Sequence, residues 1–252
     1  MPHQTIREET ADFGYQSIPI SEKPAQVDAV FDTVAPRYDL MNDLMSGGWH
    51  RLWKRFTVAA SQIRCGDKVL DVAAGTGDLA CRLAPRLGAA GQVVLLDRNH
   101  AMLSIARDRL LNAGFAKLQL IQGDAEDLPF SDEVFDHITI GFGLRNVTRK
   151  AKALSAMLRV LKPGGQLLVL EFSKPRSRLL NHLYDLWSIQ GIPRLGRWIA
   201  QDEASYQYLV ESIRRHPDAE TLQQQILLVG FDRCQFHRLS GGIVALHRAW
   251  KA

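Results

Sequence analysis

No apolar run in this chain of 252 residues reaches the roughly 20 that a membrane-spanning helix needs. The first residues also lack the apolar core of a signal peptide. Cysteine is scarce, and Cys65, Cys81 and Cys234 show no metal-ligand or redox-pair spacing. They read as free thiols in a reducing compartment. No His/Cys/Asp cluster has ligand spacing, so no metal is expected. Internal repeats and low-complexity tracts are absent. The excess positive charge is only +4, with a pI of about 9.0. That is too diffuse to argue for nucleic acid, though it would help at an anionic membrane surface. The expectation is a cytoplasmic protein, peripheral on the inner face of the cytoplasmic membrane if it meets a membrane. Hydrophobic residues make up 46%, enough for one large α/β domain or one domain with a substantial cap.

The chain is organised around Val69 to Asp78. Val69 to Val72 read as a short buried strand, and Ala73 to Gly77 as a tight turn of small residues. Leu79, Ala80, Leu83 and Leu87 give a helical stripe, so the turn opens a helix. Such a corner suits a nucleotide, because glycines let a ligand lie against bare backbone. Gly75-Thr76-Gly77-Asp78-Leu79-Ala80 fits the dinucleotide pattern G-x-G-x-x-G/A, a weak signal alone. Asp71 under the turn and Asp78 in the first helical turn argue against a pyrophosphate, which carboxylates there would repel. They suit a ligand with a cationic centre and no phosphates, such as S-adenosylmethionine.

Residues 1 to about 25 are polar and irregular, and a loose arm is expected. Val27 to Phe56 is helical and aromatic-rich, cut into short helices by Pro36 and Gly47-Gly48. This stretch is a packing layer or, directly preceding the glycine turn, a cap over the ligand. The chain then alternates strand and helix. Strands are expected at Val93 to Leu96, Leu118 to Gln122, Phe135 to Ile140 and Gln166 to Phe172. Asn99 is placed to cap a helix that Gly114 stops. Leu154, Met157, Leu158 and Leu161 mark another helix, ended by Lys162-Pro163-Gly164-Gly165. The alternation predicts a parallel sheet with helices on both faces. Residues 174 to about 217 interleave basic and aromatic side chains and read as a helical insertion. A helix from Ala219 to Val229 and a closing hairpin across Ser240-Gly241-Gly242 complete the chain. The arm and cap occupy residues 1–60 and the core 61–252.

Asp97 stands twenty residues beyond Gly77, an offset that suits bidentate bonding to ribose hydroxyls. Asp124 with Ala125 is placed to read an adenine amino group and ring nitrogen, or else forms an Asx turn. Gly141 leaves room for backbone contact with the methionine part. Arg145 and Asn146 follow the fourth strand, at the sheet edge where such folds bind ligands. Arg145 is a candidate for stabilising a phenolate, or a structural tie between loops. His50 and Tyr38 read first as packing.

Asp71 to Asp78, Asp97, Asp124 and Lys162-Pro163-Gly164-Gly165, in this order, resemble a class I S-adenosylmethionine-dependent methyltransferase. That resemblance implies a Rossmann-like α/β fold, with a mostly parallel seven-stranded sheet and a C-terminal antiparallel hairpin. Tyr38 to Ser46 continuing to Trp53, Phe142 to Val147, and Arg159 to Gly165 continuing through Ser173 narrow it. These runs closely resemble the UbiE/MenG/COQ5 family of quinone C-methyltransferases, from about Phe13 to the C-terminus. The resemblance implies C-methylation of demethylmenaquinol, of 2-methoxy-6-polyprenyl-1,4-benzoquinol, or of both, with S-adenosylmethionine as methyl donor. It puts cofactor contacts on Thr76, Asp97, Asp124 and Ala125, beside Asp71, Gly75, Gly77 and Gly141 from the turn and strand ends. It gives Arg145 a catalytic role with Asn146 and ordered water. Two positions depart from the family pattern: Gly141 where many relatives carry Ser, and Asp124 where many bacterial relatives carry Asn. A prenylated quinol, a membrane surface, and a homodimer or quinone-synthesis complex are the expected partners. An NAD-dependent oxidoreductase would leave Asp71 and Asp78 unexplained. A non-catalytic scaffold would bind the cofactor without turnover.

Overall fold

A computed structural model describes residues 9–115, 118–177 and 203–252. Where a loose arm was expected, β1 (Thr10–Phe13) and β2 (Gln16–Pro19) pair as an antiparallel hairpin. Gly14 takes φ +57° at the turn, a conformation that favours glycine. The hairpin is held from outside. Phe13 stacks on Tyr208 with centroids 4.3 Å apart, and Tyr15 N–H donates to Glu211 Oε2 at 2.9 Å.

Three short helices follow: α1 (Lys23–Val34), α2 (Tyr38–Ser46) and α3 (His50–Ala60). The breaks fall where the sequence places them. Pro36 lies in a 3-10 turn, and Gly47 closes α2 in the left-handed region. The core then runs β3 (Lys68–Val72), α4 (Asp78–Leu87), β4 (Gln92–Asp97), α5 (His100–Asn112), β5 (Leu118–Gln122) and β6 (Phe135–Gly141). It continues through α6 (Lys150–Val160), β7 (Leu161–Phe172), α7 (Glu203–Arg215), α8 (Ala219–Val229), β8 (Arg233–Leu239) and β9 (Val244–Trp250). Asn99 caps α5 as expected, its side chain accepting from Met102 N–H at 2.9 Å.

The seven strands lie in the order β5-β4-β3-β6-β7-β9-β8. All neighbours from β5 to β7 are parallel, and β9 runs antiparallel between β7 and β8. Alternation along β7 serves both faces. Leu167 and Val169 pack with Leu154, Met157, Leu222 and Ile226 on the α6 and α8 side. Leu168 and Leu170 pack with Met41, Trp53 and Tyr206 on the other.

Lys162 to Gly165 does not simply stop α6. The helix ends at Val160, and these residues lie inside β7, where pairing with β6 jumps from Phe135↔Leu161 to His137↔Gln166. Pro and Gly here build a bulge rather than a loop. Of the insertion expected at 174 to 217, the described part includes α7; residues 178–202 lie outside the described residues. No described helix is long and apolar enough to cross a membrane.

Candidate cofactor and active site

The chain leaves β3 for β4 and β5 on one side, then returns to β6 on the other. This switch opens a crevice at the carboxyl ends of the strands. There the structure has a cleft of about 760 Å³, mouth included. Ala73 and Gly75 line it after β3, Asp97 at the end of β4, Asp124 and Ala125 after β5, and Phe142 and Gly143 after β6. Val27, Phe31 and Tyr38 close it from α1 and α2, so the aromatic-rich stretch is a cap.

Two backbone positions shape the crevice. Ala73 and Phe142 are not glycine yet hold φ of +50° and +59°, strained conformations that surrounding packing enforces. Gly143 fits between the two loops only because it is glycine: a Cβ there would lie 2.6 Å from Ala73 Cβ. Gly77 has the same function toward the core, where a Cβ would come within 3.0 Å of Ala106 Cβ. It lets α4 pack closely and does not line the cleft.

Asp97 is the best-built polar group. Oδ2 accepts from Gly75 N–H at 2.8 Å, and Oδ1 accepts from Asn99 N–H at 2.9 Å. Each oxygen keeps a second lone pair for a diol. Burial pushes the carboxyl above its ordinary range, and the backbone donors pull it back. Asp124 forms the Asx turn, accepting from Glu126 N–H at 2.9 Å, and its other oxygen takes Arg98 Nη1 at 2.5 Å. Asp71 lies beneath the crevice, 1% exposed. One oxygen accepts from Thr139 Oγ1 at 2.6 Å, while Oδ2 is buried without a partner. Burial pushes this carboxyl up to about 7.

The model of the ubiE/COQ5 methyltransferase family matches residues 20–251. The chain belongs to this family. It is 55% identical over 245 residues to the ubiquinone/menaquinone biosynthesis C-methyltransferase UbiE of Pseudomonas putida, covering 97% of this chain and 96% of that protein. Against the protein of the same name from Azotobacter vinelandii the identity is 56%, with 97% of each chain covered. Among solved structures, a SAM dependent methyltransferase from Aquifex aeolicus superposes with a TM-score of 0.63 at 17% identity, over 85% of this chain and 98% of that one. That likeness shows the fold.

For this ubiE/COQ5 family member, the structure sorts the sequence candidates into groups. Gly75, Asp97, Asp124, Ala125 and Asn146 line the cleft together. Thr76 is behind the wall, 3% exposed. Its hydroxyl donates to Asp39 Oδ1 at 3.3 Å and accepts from Arg109 Nη1 at 3.0 Å. Gly141 is also outside the lining, and a Cβ there would sit 3.4 Å from Leu79 Cδ2, in ordinary contact. Asp78 is not a free carboxylate for a cationic ligand. Lys54 Nζ lies 2.8 Å from one oxygen and Arg82 Nη2 3.0 Å from the other, and together they hold its carboxyl at about 2.

Arg145 does not point into the cleft. Its guanidinium donates to the carbonyl of Phe142 and lies 3.2 Å from Glu171 Oε1; the pair is 3% and 1% exposed. The structural reading, a tie between strand-end loops, describes this geometry. Asn146, in the same 3-10 turn, does reach the cleft, and its Oδ1 accepts from Tyr208 Oη at 3.1 Å.

Tyr38 was undervalued in the sequence, since its ring faces the glycine turn: a Cβ on Gly75 would lie 3.7 Å from Tyr38 Cε1. His50 is outside the cleft lining, with Nε2 2.8 Å from Asp43 Oδ1. Reading the sequence alone missed how the cap is latched. Arg98 bridges Asp28 and Asp124, at 3.1 and 2.5 Å, and Asn99 Nδ2 donates to Asp32 at 2.6 Å. Arg109 pairs with Asp39. The aspartates at 28, 32 and 39 recur along one aromatic stretch, and that spacing was the available signal.

Proposed function

We propose that this protein transfers a methyl group from S-adenosylmethionine to a ring carbon of a prenylated quinol. The substrates are demethylmenaquinol, 2-methoxy-6-polyprenyl-1,4-benzoquinol, or both. The observation that carries the reading is the placement of Asp97 and Gly75 over the switch point, inside a family whose members bear the name of this activity. The donor set fits the methyl donor. A buried carboxylate with spare lone pairs suits a ribose diol. Asp124 and Ala125 line the cleft after β5, where they would read an adenine edge, and Asp71 lies beneath the glycine turn with Oδ2 unpartnered.

When bound, S-adenosylmethionine supplies an electrophilic methyl on a sulfonium. The chain's own residues do the rest. Val27, Phe31 and Tyr38 exclude water from the cleft. Asn146 orients the quinol hydroxyl at the cleft wall and is itself fixed by Tyr208. Arg145, through Phe142 and Glu171, holds this turn in place. It is a positioning residue that acts through the turn carrying Asn146.

The polyprenyl tail must be taken from a bilayer, so a lipid-facing surface follows from the substrate. Trp49, Leu52 and Phe56 stand 55%, 51% and 39% exposed on one stripe at the start of α3 and along it. This spacing, with Arg55 between, suits the headgroup boundary. Residues 178–202, rich in Arg and Trp, lie outside the described residues. The test is the quinone profile, by mass spectrometry, of cells lacking this protein. Accumulated demethylated quinones, reversed by the wild-type gene, support the reading. An unchanged profile overturns it.

A further inference from the structure

Behind Arg145 lies a second cavity, of about 300 Å³ with its mouth. Lys23, Lys150, Arg145 and His216 line its interior, and Asp12 and Arg215 stand at its rim. Lys23 is 3% exposed and His216 2%. Arg145 is already held by Glu171, and Arg215 Nη1 lies 3.7 Å from Asp12 Oδ2. Lys23 and Lys150 form no ion pair or hydrogen bond to another described residue. Lys23, Lys150, Arg145 and Arg215 thus outnumber Asp12 and Glu171 by two, and Glu126, which also acts on Lys23, is taken up by Arg149 at 2.7 Å. Both ring nitrogens of His216 and the Nε of Arg145 are buried without a partner. Lys150 is half-buried, and the carboxylates acting on the two lysines, Asp12, Glu126 and Glu171, stand beyond hydrogen-bond reach; lysines so placed, and imidazole nitrogens with no hydrogen bond, are costly unless something compensates them.

We propose that this cavity is a binding site for a dianionic phosphoryl group, with Lys23 and Lys150 as its charge partners and His216 as a hydrogen-bond donor. The charge excess matches a dianion and not a single carboxylate. His216 serves as a neutral donor, because burial and the neighbouring Lys150 and Arg145 hold its pKa well below the ordinary imidazole value. Burial, with Lys150 beside it, also lowers Lys23 to about 8, and the more distant Asp12 and Glu126 offset this only in part. The site touches the methyl-transfer machinery at two places, one of them Arg145, which lines the cavity and holds the turn carrying Asn146. Tyr208 lines this cavity and donates to Asn146, which lines the cofactor cleft. A bound phosphoryl group therefore sits against the same loop that shapes the cofactor site.

The ligand is either free phosphate or the phosphate group of a small monoester, and two probes separate them. Purified full-length protein is titrated at constant ionic strength and pH 7 with inorganic phosphate, and separately with glycerol 3-phosphate. Binding is read by calorimetry and thermal shift. Saturable binding to either probe is expected, weakened tenfold or more in Lys23→Met/Lys150→Met. The probe that binds tighter names the source. The thermal shift by S-adenosylmethionine serves as an independent control and stays as in wild type, so failure here is distinguishable from failure of the cofactor site. A second readout needs no ligand. Without phosphate, Lys23→Met should melt at or above the wild-type temperature, because an uncompensated charge has been removed. Absence of binding to both probes, or binding that survives the double substitution, overturns the proposal. So does a Lys23→Met variant markedly less stable than wild type in phosphate-free buffer.

Discussion

Asp97 holds the glycine turn and lines the cleft with the same carboxylate. It accepts from Gly75 N–H and Asn99 N–H, so its geometry is fixed before any cofactor arrives. S-adenosylmethionine should raise the melting temperature of the wild-type protein, and Asp97→Ala should abolish that shift. A charge-assisted hydrogen bond contributes about 1.5–3 kcal/mol, so losing one weakens binding at least tenfold. Asp97→Asn, which keeps one acceptor oxygen, should fall between. An undiminished shift in Asp97→Ala places the ribose elsewhere. At Arg145 the expectation is different. Because the side chain acts on the turn that carries Asn146, Arg145→Gln should lower kcat by about 10²-fold while the cofactor Kd changes less than tenfold. Glu171 left buried and unpaired will also lower the melting temperature. Steady-state kinetics with cofactor titration separates the two. Normal kcat with weakened cofactor binding would reassign Arg145 to the cofactor.

At the scale of elements, the cap is attached to the core by side chains and not by sheet pairing. Asp28 and Asp39 reach from α1 and α2 to Arg98 and Arg109, at the start and in the last turn of the α5 region. These pairs are half-exposed, so each contributes only about 0.2–1 kcal/mol. Their effect on cofactor retention is direct, because the same cap residues wall the cleft. Asp28→Ala/Asp39→Ala should raise the Kd for S-adenosylmethionine by about 3- to 10-fold, mostly through faster release, with little loss of global stability. Stopped-flow displacement measures it. An unchanged release rate would show that the cap is held by its apolar contacts alone.

For the whole molecule, the sequence carried the alternation of strands and helices, the glycine turn, the helix breaks at Pro36 and Gly47, and the closing hairpin. These follow from local rules: hydrophobic period, turn residues and caps. The parts that were not legible depend on partners far along the chain. The β1–β2 hairpin has only four residues in each strand and is held by Tyr208 and Glu211, almost two hundred residues away. Asp78 looked like a ligand carboxylate until Lys54 of α3 folded onto it. Arg145 is in a loop at the edge of the cleft, but Glu171, on β7, holds its guanidinium away from it. Residue type and position were readable, whereas side-chain direction was decided by tertiary packing. Tyr38 gained its place at the glycine turn in the same way.

The central claim is that this fold moves a methyl group to a quinol ring carbon. It is tested most directly by incubating purified protein with isotope-labelled S-adenosylmethionine and short-chain, detergent-soluble demethylmenaquinol or 2-methoxybenzoquinol. The products are then read by mass spectrometry and NMR. The account predicts one labelled methyl per molecule, bonded to a ring carbon, formed by wild type and lost in Asp97→Ala. A folded, cofactor-saturated wild-type protein that labels neither quinol, or labels a hydroxyl oxygen instead of carbon, would contradict it.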